Sequence, residues 1–369
     1  MTQRLRVGLV FGGRSGEHAV SVMSAASVFR YMDRSKYEVV PIGITKTGKW
    51  LLADDALKML ETGIDEGSGT PVAIVPEPSR RALVATDESA RRIEVGGLDV
   101  VFPVLHGTYG EDGTVQGLLE LADIPYVGSG VLASSVGMDK DVMKRLFRER
   151  GLPVPRFEVV SRRDIEAGPV EVVARLTSSL RLPLFVKPAN LGSSVGVTKV
   201  ADEHGLEPAL REACLYDRKV IVEEAVTGAR EIECAVLGND DPIASPPGEV
   251  VPAREFYDYV AKYLDPNTQL IVPADLPAEV SERVRSIAVK AFKCVDASGM
   301  ARVDFFVERE SLNVWLNEIN TIPGFTSVSM YPKMMEAAGI PYTELISRLI
   351  ELAIERHAEK SRRLTTYHP

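Results

Sequence analysis

Two neighbouring stretches decide how this chain is read: Ala301-Arg302-Val303-Asp304-Phe305-Phe306-Val307 and Val314-Trp315-Leu316-Asn317-Glu318-Ile319-Asn320. Alternate residues of a strand point the same way. Arg302 and Asp304 therefore share one face of the first stretch, and Glu318 and Asn320 share one face of the second. With Glu308 to Ser311 as the connecting turn, a hairpin brings Asp304 opposite Glu318 and Arg302 near Asn320, and opposed residues lie about 4.5–5.5 Å apart. Two carboxylates and an amide oxygen then converge beside a guanidinium. Facing acids repel, and hard oxygen donors of this kind suit Mg²⁺, which completes its shell with water and phosphate oxygens. The pattern predicts a site for the metal ions of a nucleoside triphosphate. A solvated sheet face is the blander reading, and the strongly apolar neighbours weigh against it.

Upstream, Leu184-Phe185-Val186-Lys187-Pro188-Ala189-Asn190-Leu191-Gly192-Ser193-Ser194-Val195-Gly196-Val197 reads as a strand that delivers a lysine, followed by a loop of small residues. Backbone amides in such a loop can wrap phosphate oxygens while the lysine supplies a point charge. The lysine precedes the glycines, so this is not the P-loop pattern. Val220-Ile221-Val222-Glu223-Glu224-Ala225-Val226 and Arg230-Glu231-Ile232-Glu233 follow as an apolar strand ending in acids and a second acidic stretch. Carboxylates there can accept from an adenine amino group and ribose hydroxyls.

The first third has a different rhythm. Leu5 to Val10 reads as a strand, Gly12-Gly13-Arg14-Ser15-Gly16 as a tight turn, Val20 to Met32 as a helix, and Tyr37 to Ile44 and Leu98 to Leu105 as further strands. Alternating strands and helices predict a mostly parallel sheet with functional loops at the strands' carboxyl ends, including His106 to Gly113. The stretch from Asp65 to Ala90 reads as irregular or edge structure. Gly137 reads as a hinge into a helix from Met138 to Arg150, whose apolar face is Val142, Met143, Leu146 and Phe147. Another helix falls near Val280 to Val295, before the hairpin and a helical C-terminus. The fold class expected is α/β with α+β, in three domains: 1–137, 138–235 and 236–369, the last with a mobile loop near 251–266.

Composition narrows the function. The 369 residues are 45% hydrophobic and 26% charged, with a net charge of −9. That balance argues against general nucleic-acid or membrane-surface binding. No apolar run approaches the ~20 residues of a membrane span, and the first residues show no cleavable signal pattern, so a cytoplasmic protein is expected. Cys214, Cys234 and Cys294 have no metal-type spacing and read as small buried residues. The mixed-charge segment 356–363 reads as a solvated helix end or frayed tail.

Lys-Pro-x-x-x-Gly-Ser-Ser-Val-Gly at 187–196, Arg-x-Asp at 302–304, Asn-Glu-Ile-Asn-Thr-x-Pro-Gly at 317–324, His106-Gly107 with Gly110-Glu111-Asp112-Gly113, and Gly12-Gly13-Arg14-Ser15-Gly16-Glu17-His18 resemble the D-alanine–D-alanine ligase family. The motifs fall in the family's order over nearly the whole chain. The resemblance implies an ATP-grasp fold behind a Rossmann-like N-terminal domain, with ATP as co-substrate, two Mg²⁺ ions (Mn²⁺ as a substitute), and a homodimer. The activity implied is ATP-dependent joining of two D-alanines through a D-alanyl phosphate, for peptidoglycan precursors. Residue by residue, it implies Asp304, Glu318 and Asn320 as metal ligands, and Lys140, Lys187, Ser193 and Ser194 at the ATP phosphates. Glu223, Glu224, Val226 and Glu231 fall at the nucleoside, where an extra residue near Ala229-Arg230 leaves Glu231 and Glu233 both candidates for the ribose. Glu17, linked to Ser193 and Tyr263, is implied at the ammonium of the first D-alanine, with His106 near that substrate. Arg302 and the Gly324 amide are implied at the tetrahedral intermediate, and Lys262 and Ser329 at the second substrate's carboxylate. Glu255 to Tyr263 matches the family's lid. Tyr263, where depsipeptide ligases making D-alanyl-D-lactate resemble a pattern with histidine, favours an amine acceptor. The intact metal set speaks against a silent nucleotide-binding module.

Overall fold

The computed structural model describes residues 4–67, 69–79, 81–86, 92–252 and 268–364. Strands β1 (Leu5–Gly12), β2 (Tyr37–Ile44), β3 (Trp50–Ala53), β4 (Gly69–Ile74), β5 (Ala82–Thr86), β6 (Arg92–Gly97) and β7 (Val100–Val104) form a seven-stranded sheet in the order β6-β5-β4-β3-β2-β1-β7. Only its end around β1 is parallel, with β2 on one side and β7 on the other. The remaining neighbours are antiparallel, where the sequence predicts a mostly parallel sheet. The cause lies in the connections. Parallel neighbours need a crossover of a dozen or more residues, and α1 (His18–Tyr31) supplies one between β1 and β2. The short turn between β2 and β3 permits only an antiparallel return. The 65–90 stretch contributes β4 and β5, at the antiparallel edge.

The other helices are α2 (Ala56–Thr62), α3 (Thr114–Leu121), α4 (Val131–Met138), α5 (Lys140–Glu149), α6 (Arg162–Ala167), α7 (Pro169–Ser179), α8 (Leu206–Tyr216), α9 (Ala278–Cys294), α10 (Met330–Ala337) and α11 (Tyr342–Lys360). Gly137 lies inside α4, packed toward Thr321, and the chain turns at Asp139, whose side chain caps α5. On α5 the fully buried positions are Met143, Lys144 and Phe147, while Val142 is exposed. The expected apolar face is thus rotated so that a lysine points inward.

A second sheet, β10-β9-β11-β8, is antiparallel throughout: β8 (Phe157–Ser161), β9 (Leu184–Pro188), β10 (Thr198–Val200) and β11 (Lys219–Glu224). Its inner face packs Leu184, Val186, Val220 and Val222 on Leu176 of α7 and Leu210 of α8, forming a separate core. The third sheet, also antiparallel, holds β12 (Ala229–Gly238), β13 (Ile243–Ala244), β14 (Gly248–Val251), β15 (Gln269–Ile271), β16 (Gly299–Glu308) and β17 (Val314–Asn320). The boundary expected at 235 falls inside β12, whose partners all belong to this third sheet.

First and third bodies are fastened together. Val7, Phe11 and Phe102 of the first sheet share one core with Tyr331 of α10 and Leu349 of α11. Segment 356–363 is a helix end, exposed from Ala358 on as the sequence suggests, but its first two residues are docked. Arg356 donates to the carbonyls of Tyr126 and Gly128 and stacks on the Tyr126 ring, and His357 Nε2 lies 2.9 Å from Asp123. No helix among the described residues is long and apolar enough to cross a membrane.

Candidate active site

The second and third sheets flank a cleft of about 330 Å³, lined by Lys140, Lys187, Ser193, Ser194, Glu223, Glu224, Val226, Glu231, Asp304 and Glu318 among others. β9 carries Lys187 to it, and β11 carries Glu223. Lys187 Nζ lies 3.1 Å from Glu223 Oε1, and Lys144 Nζ, reaching across from α5, lies 3.0 Å from Oε2. Burial pushes the Glu223 carboxyl up, but the two ammonium groups outweigh it and hold the group below its usual range. Burial pulls the Lys144 ammonium down to about 8, against the attraction of Glu223. Glu224, next along the strand, must face the other way. Its carboxylate accepts from Arg181 N at 3.0 Å and lies 3.3 Å from the Arg181 guanidinium.

Between β9 and β10, Ser193 and Ser194 both adopt left-handed backbone (φ 52° and 56°), a conformation that costs a residue with a Cβ. Lys140 Nζ donates to Leu191 O at 2.7 Å and sits 3.7 Å from Glu318 Oε2, so one lysine ties this loop to β17.

The β16–β17 hairpin pairs Asp304 with Glu318 and Arg302 with Asn320, as the sequence predicts. It does so by a device the sequence reading lacks. Val307 opposes Val314 and Phe305 opposes Leu316; a regular ladder would then set Asp304 against Asn317, but the register shifts between Asp304 and Phe305. Asn317 is the extra residue of a β-bulge, and the bulge restores Glu318 to the cleft face. Arg302 grips Asp304 through both fork positions, Nε to Oδ1 at 2.7 Å and Nη2 to Oδ2 at 2.6 Å, and Asn320 Nδ2 donates to Oδ2 at 3.0 Å. Across β12, Glu233 opposes Asp304 and lies 3.2 Å from Arg302 Nε.

Among the described residues no three Asp, Glu, His or Cys side chains form a ready-made metal cage. The donors present still fit Mg²⁺. Asp304 and Glu318 face each other, Asn320 stands beside them, and the buried Asn317 Oδ1 has no hydrogen-bond partner among the described residues. A small octahedral cation held by one or two carboxylates, water and substrate phosphates asks for no more protein than this.

A second, smaller pocket of about 60 Å³ opens beside the cleft and shares Lys140, Gly192, Ser193 and Glu318 with it. Glu17, at the start of α1, receives the Ser193 hydroxyl. Gly107, at φ +74°, passes so close that a Cβ there would meet Glu17 Oε2 at 2.5 Å. His106 is buried, with Nδ1 3.0 Å from Ile322 O and Nε2 3.1 Å from Ser24 Oγ. A carbonyl can only accept, so Nδ1 carries the proton and the Ser24 hydroxyl donates to Nε2. Burial pulls the His106 pKa down, favouring that neutral form. Ser24 Oγ in turn accepts from Phe325 N at 3.3 Å. Glu111 accepts from Gly107 N at 2.7 Å and Ile322 N at 3.3 Å, while burial, with the charge of Glu17, pushes it up to about 8. Held at both ends by the first body, segment 322–325 presents Gly324 to the pocket, and no group among the described residues accepts from its N–H. Ser329 lies just beyond, its hydroxyl 3.2 Å from where a Gly324 Cβ would be and engaged with Thr326.

Family models described as D-ala D-ala ligase N-terminus and D-ala D-ala ligase C-terminus match residues 6–129 and 146–351. The chain belongs to the D-alanine–D-alanine ligase family. The D-alanine–D-alanine ligase of Caldicellulosiruptor bescii is 51% identical over 358 residues, which cover 97% of each chain. The solved ligase of Coxiella burnetii superposes with a TM-score of 0.85 at 41% identity, over 98% of this chain and 97% of that one. The VanG D-Ala:D-Ser ligase of Enterococcus faecalis gives 0.85 at 37%, over 95% and 100%. The antiparallel sheets either side of the cleft are the ATP-grasp arrangement of this D-alanine–D-alanine ligase family.

Of the residues the family resemblance points to, the structure brings Glu17, His106, Lys140, Lys187, Ser193, Glu223, Arg302, Glu318, Asn320 and Gly324 around two adjoining spaces. Glu224 lines the cleft, but its carboxylate is engaged by arginines on the far face. Lys262, Tyr263 and the rest of the expected lid lie outside the described residues. Sequence reading missed Lys144, Ser24, Glu111 as an acid under strain, and the bulge at Asn317. The pair Lys140/Lys144, one helical turn apart on α5, was the one available signal.

Proposed function

We propose that this chain joins two D-alanines into D-alanyl-D-alanine with cleavage of ATP to ADP and phosphate, supplying a peptidoglycan precursor. The observation that carries this reading is the wall shared by the two spaces. Lys140, Ser193 and Glu318 stand where a nucleotide's terminal phosphate would meet the carboxylate of a small amino acid.

Glu17 holds the ammonium of the first D-alanine, oriented by the Ser193 hydroxyl. A carboxylate oxygen of that substrate attacks the γ-phosphorus in line as the bond to ADP breaks, leaving an acyl phosphate; such transfer is mostly positioning and charge neutralisation. Lys140 and Lys187 neutralise phosphate oxygens, and the left-handed Ser193-Ser194 backbone turns N–H groups toward them. Glu223 takes the adenine amino group, with Val226 on the ring. Glu231 serves the ribose, because Glu233 is committed to Arg302. Asp304, Glu318 and Asn320 would hold two Mg²⁺ ions, or Mn²⁺ in their place, which lower the charge on the transferring phosphoryl group. The second D-alanine, its amine having lost a proton, attacks the acyl carbon. Arg302 and Gly324 N–H stabilise the oxyanion, and phosphate then leaves. Ser329 takes the second carboxylate, and Lys262 and Tyr263, which lie outside the described residues, are the further groups the family resemblance implies there. His106 orders the 322–325 segment instead of touching substrate.

Three domains suit this reading, 1–137, 138–235 and 236–369, with the second boundary drawn back to the turn before β12. A cytoplasmic homodimer completes it. The test is phosphate release and product identification with ATP, Mg²⁺ and D-alanine, against L-alanine, D-lactate and D-serine. Dipeptide from D-alanine alone supports the reading. Nucleotide binding without turnover sinks it, and ester or D-alanyl-D-serine as main product moves the second-substrate specificity.

A further inference from the structure

The inner wall of the cleft holds one more cation than its carboxylate balances. Glu223 is met by Lys187 at one oxygen and by Lys144 at the other, at 3.1 and 3.0 Å. The side chain of Lys144 is 0% exposed, whereas that of Lys187 is 11% exposed and lines the cleft. Two ammonium groups against one carboxylate leave a surplus positive charge. Lys144 is fully buried and closed to the cleft, so the surplus is felt at Lys187. Were Lys144 neutral, Glu223 and Lys187 would form a balanced pair, and in low-dielectric surroundings Lys187 would be held against the carboxylate. Burying a lysine is costly, and an apolar side chain of similar length would sit on α5 at less cost.

We infer that Lys144 is a positioning residue for the nucleotide's phosphates: by occupying Oε2 of Glu223 it leaves the Lys187 ammonium able to turn its charge toward an anion in the cleft. This rests on the nucleotide reading given above. Lys144 itself touches no substrate; its effect passes through Glu223 and Lys187, with Glu318 the other charged group that acts on it.

The test compares a phosphate-bearing ligand with one that has none. Calorimetric affinities for ADP with Mg²⁺ and for adenosine are measured on the wild type, on Lys144→Met, and on Lys144→Met combined with Glu223→Gln. Lys144→Met is expected to weaken ADP about tenfold or more beyond any change in adenosine, whose amino group the same Glu223 receives. Removing Glu223 as well frees Lys187, so the ADP-to-adenosine preference should return toward the wild-type value. Equal weakening of both ligands in Lys144→Met means a merely structural lysine and overturns the inference, as does unchanged ADP affinity. If Lys144→Met does not fold, Lys144→Gln, which keeps a donor to Glu223 without the charge, takes its place: a preference for ADP lost about tenfold supports the inference, and an unchanged preference overturns it. A wild type that binds neither ligand sinks the nucleotide reading itself, a result no variant is needed to recognise.

Discussion

Gly107→Ala is the most informative single methyl that can be added to this protein. The residue has φ +74°, and an added Cβ would lie 2.5 Å from Glu17 Oε2 and 2.7 Å from Ser15 Oγ. Ordinary contact begins near 3.4 Å, so the Glu17 carboxylate must retreat by roughly 0.9 Å or the loop must move. Left-handed backbone costs alanine about 1–2 kcal/mol, which a protein of this size survives. The retreat pulls Glu17 from Ser193 and misplaces the ammonium of the first substrate, and a displacement of about 1 Å costs on the order of 10²-fold in rate. Steady-state kinetics should show kcat/KM for D-alanine falling about 30- to 100-fold, with the KM for ATP within about twofold because Gly107 is not part of the nucleotide cleft. Gly48→Ala is the control: φ is +95° there and nothing lies within 4 Å of the Cβ position. It should lose comparable stability and no activity. Were both variants equally active, or Gly107→Ala to raise the ATP KM as much as the D-alanine one, the placement of Glu17 against Gly107 would be wrong.

Other consequences can be checked as directly. Asp304→Asn keeps the shape but removes the charge that Arg302 and Asn320 converge on, so Mg²⁺-dependent phosphate release should fall about 10²–10³-fold; full activity across a Mg²⁺ titration would count heavily against the metal assignment. Ser24→Ala leaves the Phe325 N–H without its acceptor and His106 without its donor, costing about 1–3 kcal/mol in urea unfolding and lowering kcat through Gly324; no change in either would dismiss the scaffold role. Burial and the charge of Glu17 push the Glu111 carboxyl from its usual 4.5 up to about 8 in the folded protein, so the folded protein binds its proton more tightly than the unfolded chain. Stability from this group is fully present below the unfolded value and is lost as pH rises toward and through about 8. Glu111→Gln should flatten that part of the stability–pH curve, and curves that stay parallel from pH 5 to 9 would show the group is not perturbed.

Much of this was legible because strand alternation puts chemistry on one face. Arg302, Asp304, Glu318 and Asn320 announce their convergence without any structure, and the loop of small residues after Lys187 is where the structure puts left-handed Ser193 and Ser194 on the cleft wall. What sequence could not supply was anything set by a neighbour far along the chain. The bulge at Asn317 is invisible in a run that alternates almost regularly, yet it decides which face Glu318 occupies. Lys144 reads as one more polar residue on an amphipathic helix; only Glu223, 79 residues on, makes it a buried ion. His106 reads as a residue near substrate; the structure sets it in the lining of the small pocket but gives both its nitrogens to Ser24 and Ile322. The antiparallel edge of the first sheet was obscured for a simpler reason, since short turns dictate strand direction and the 65–90 stretch hides two strands among loop residues.

Charge bookkeeping explains how a chain of net −9 can receive a polyanion. Each cation of the site has a carboxylate partner here: Lys140 with Glu318, Lys187 and Lys144 with Glu223, and Arg302 with Asp304 and Glu233. Such pairs keep the site assembled, because an isolated buried charge costs far more than a paired one. They also make binding an exchange. On the proposed reading, phosphate oxygens would take over Lys140 and Lys187 while Asp304 and Glu318 would hold metal ions, so neither cation nor carboxylate would be stripped of a partner. On that view the nucleotide and its metals would enter together, since either alone would leave one half of the Lys140–Glu318 pair uncompensated, whereas Glu223 keeps Lys144 and Arg302 keeps Glu233.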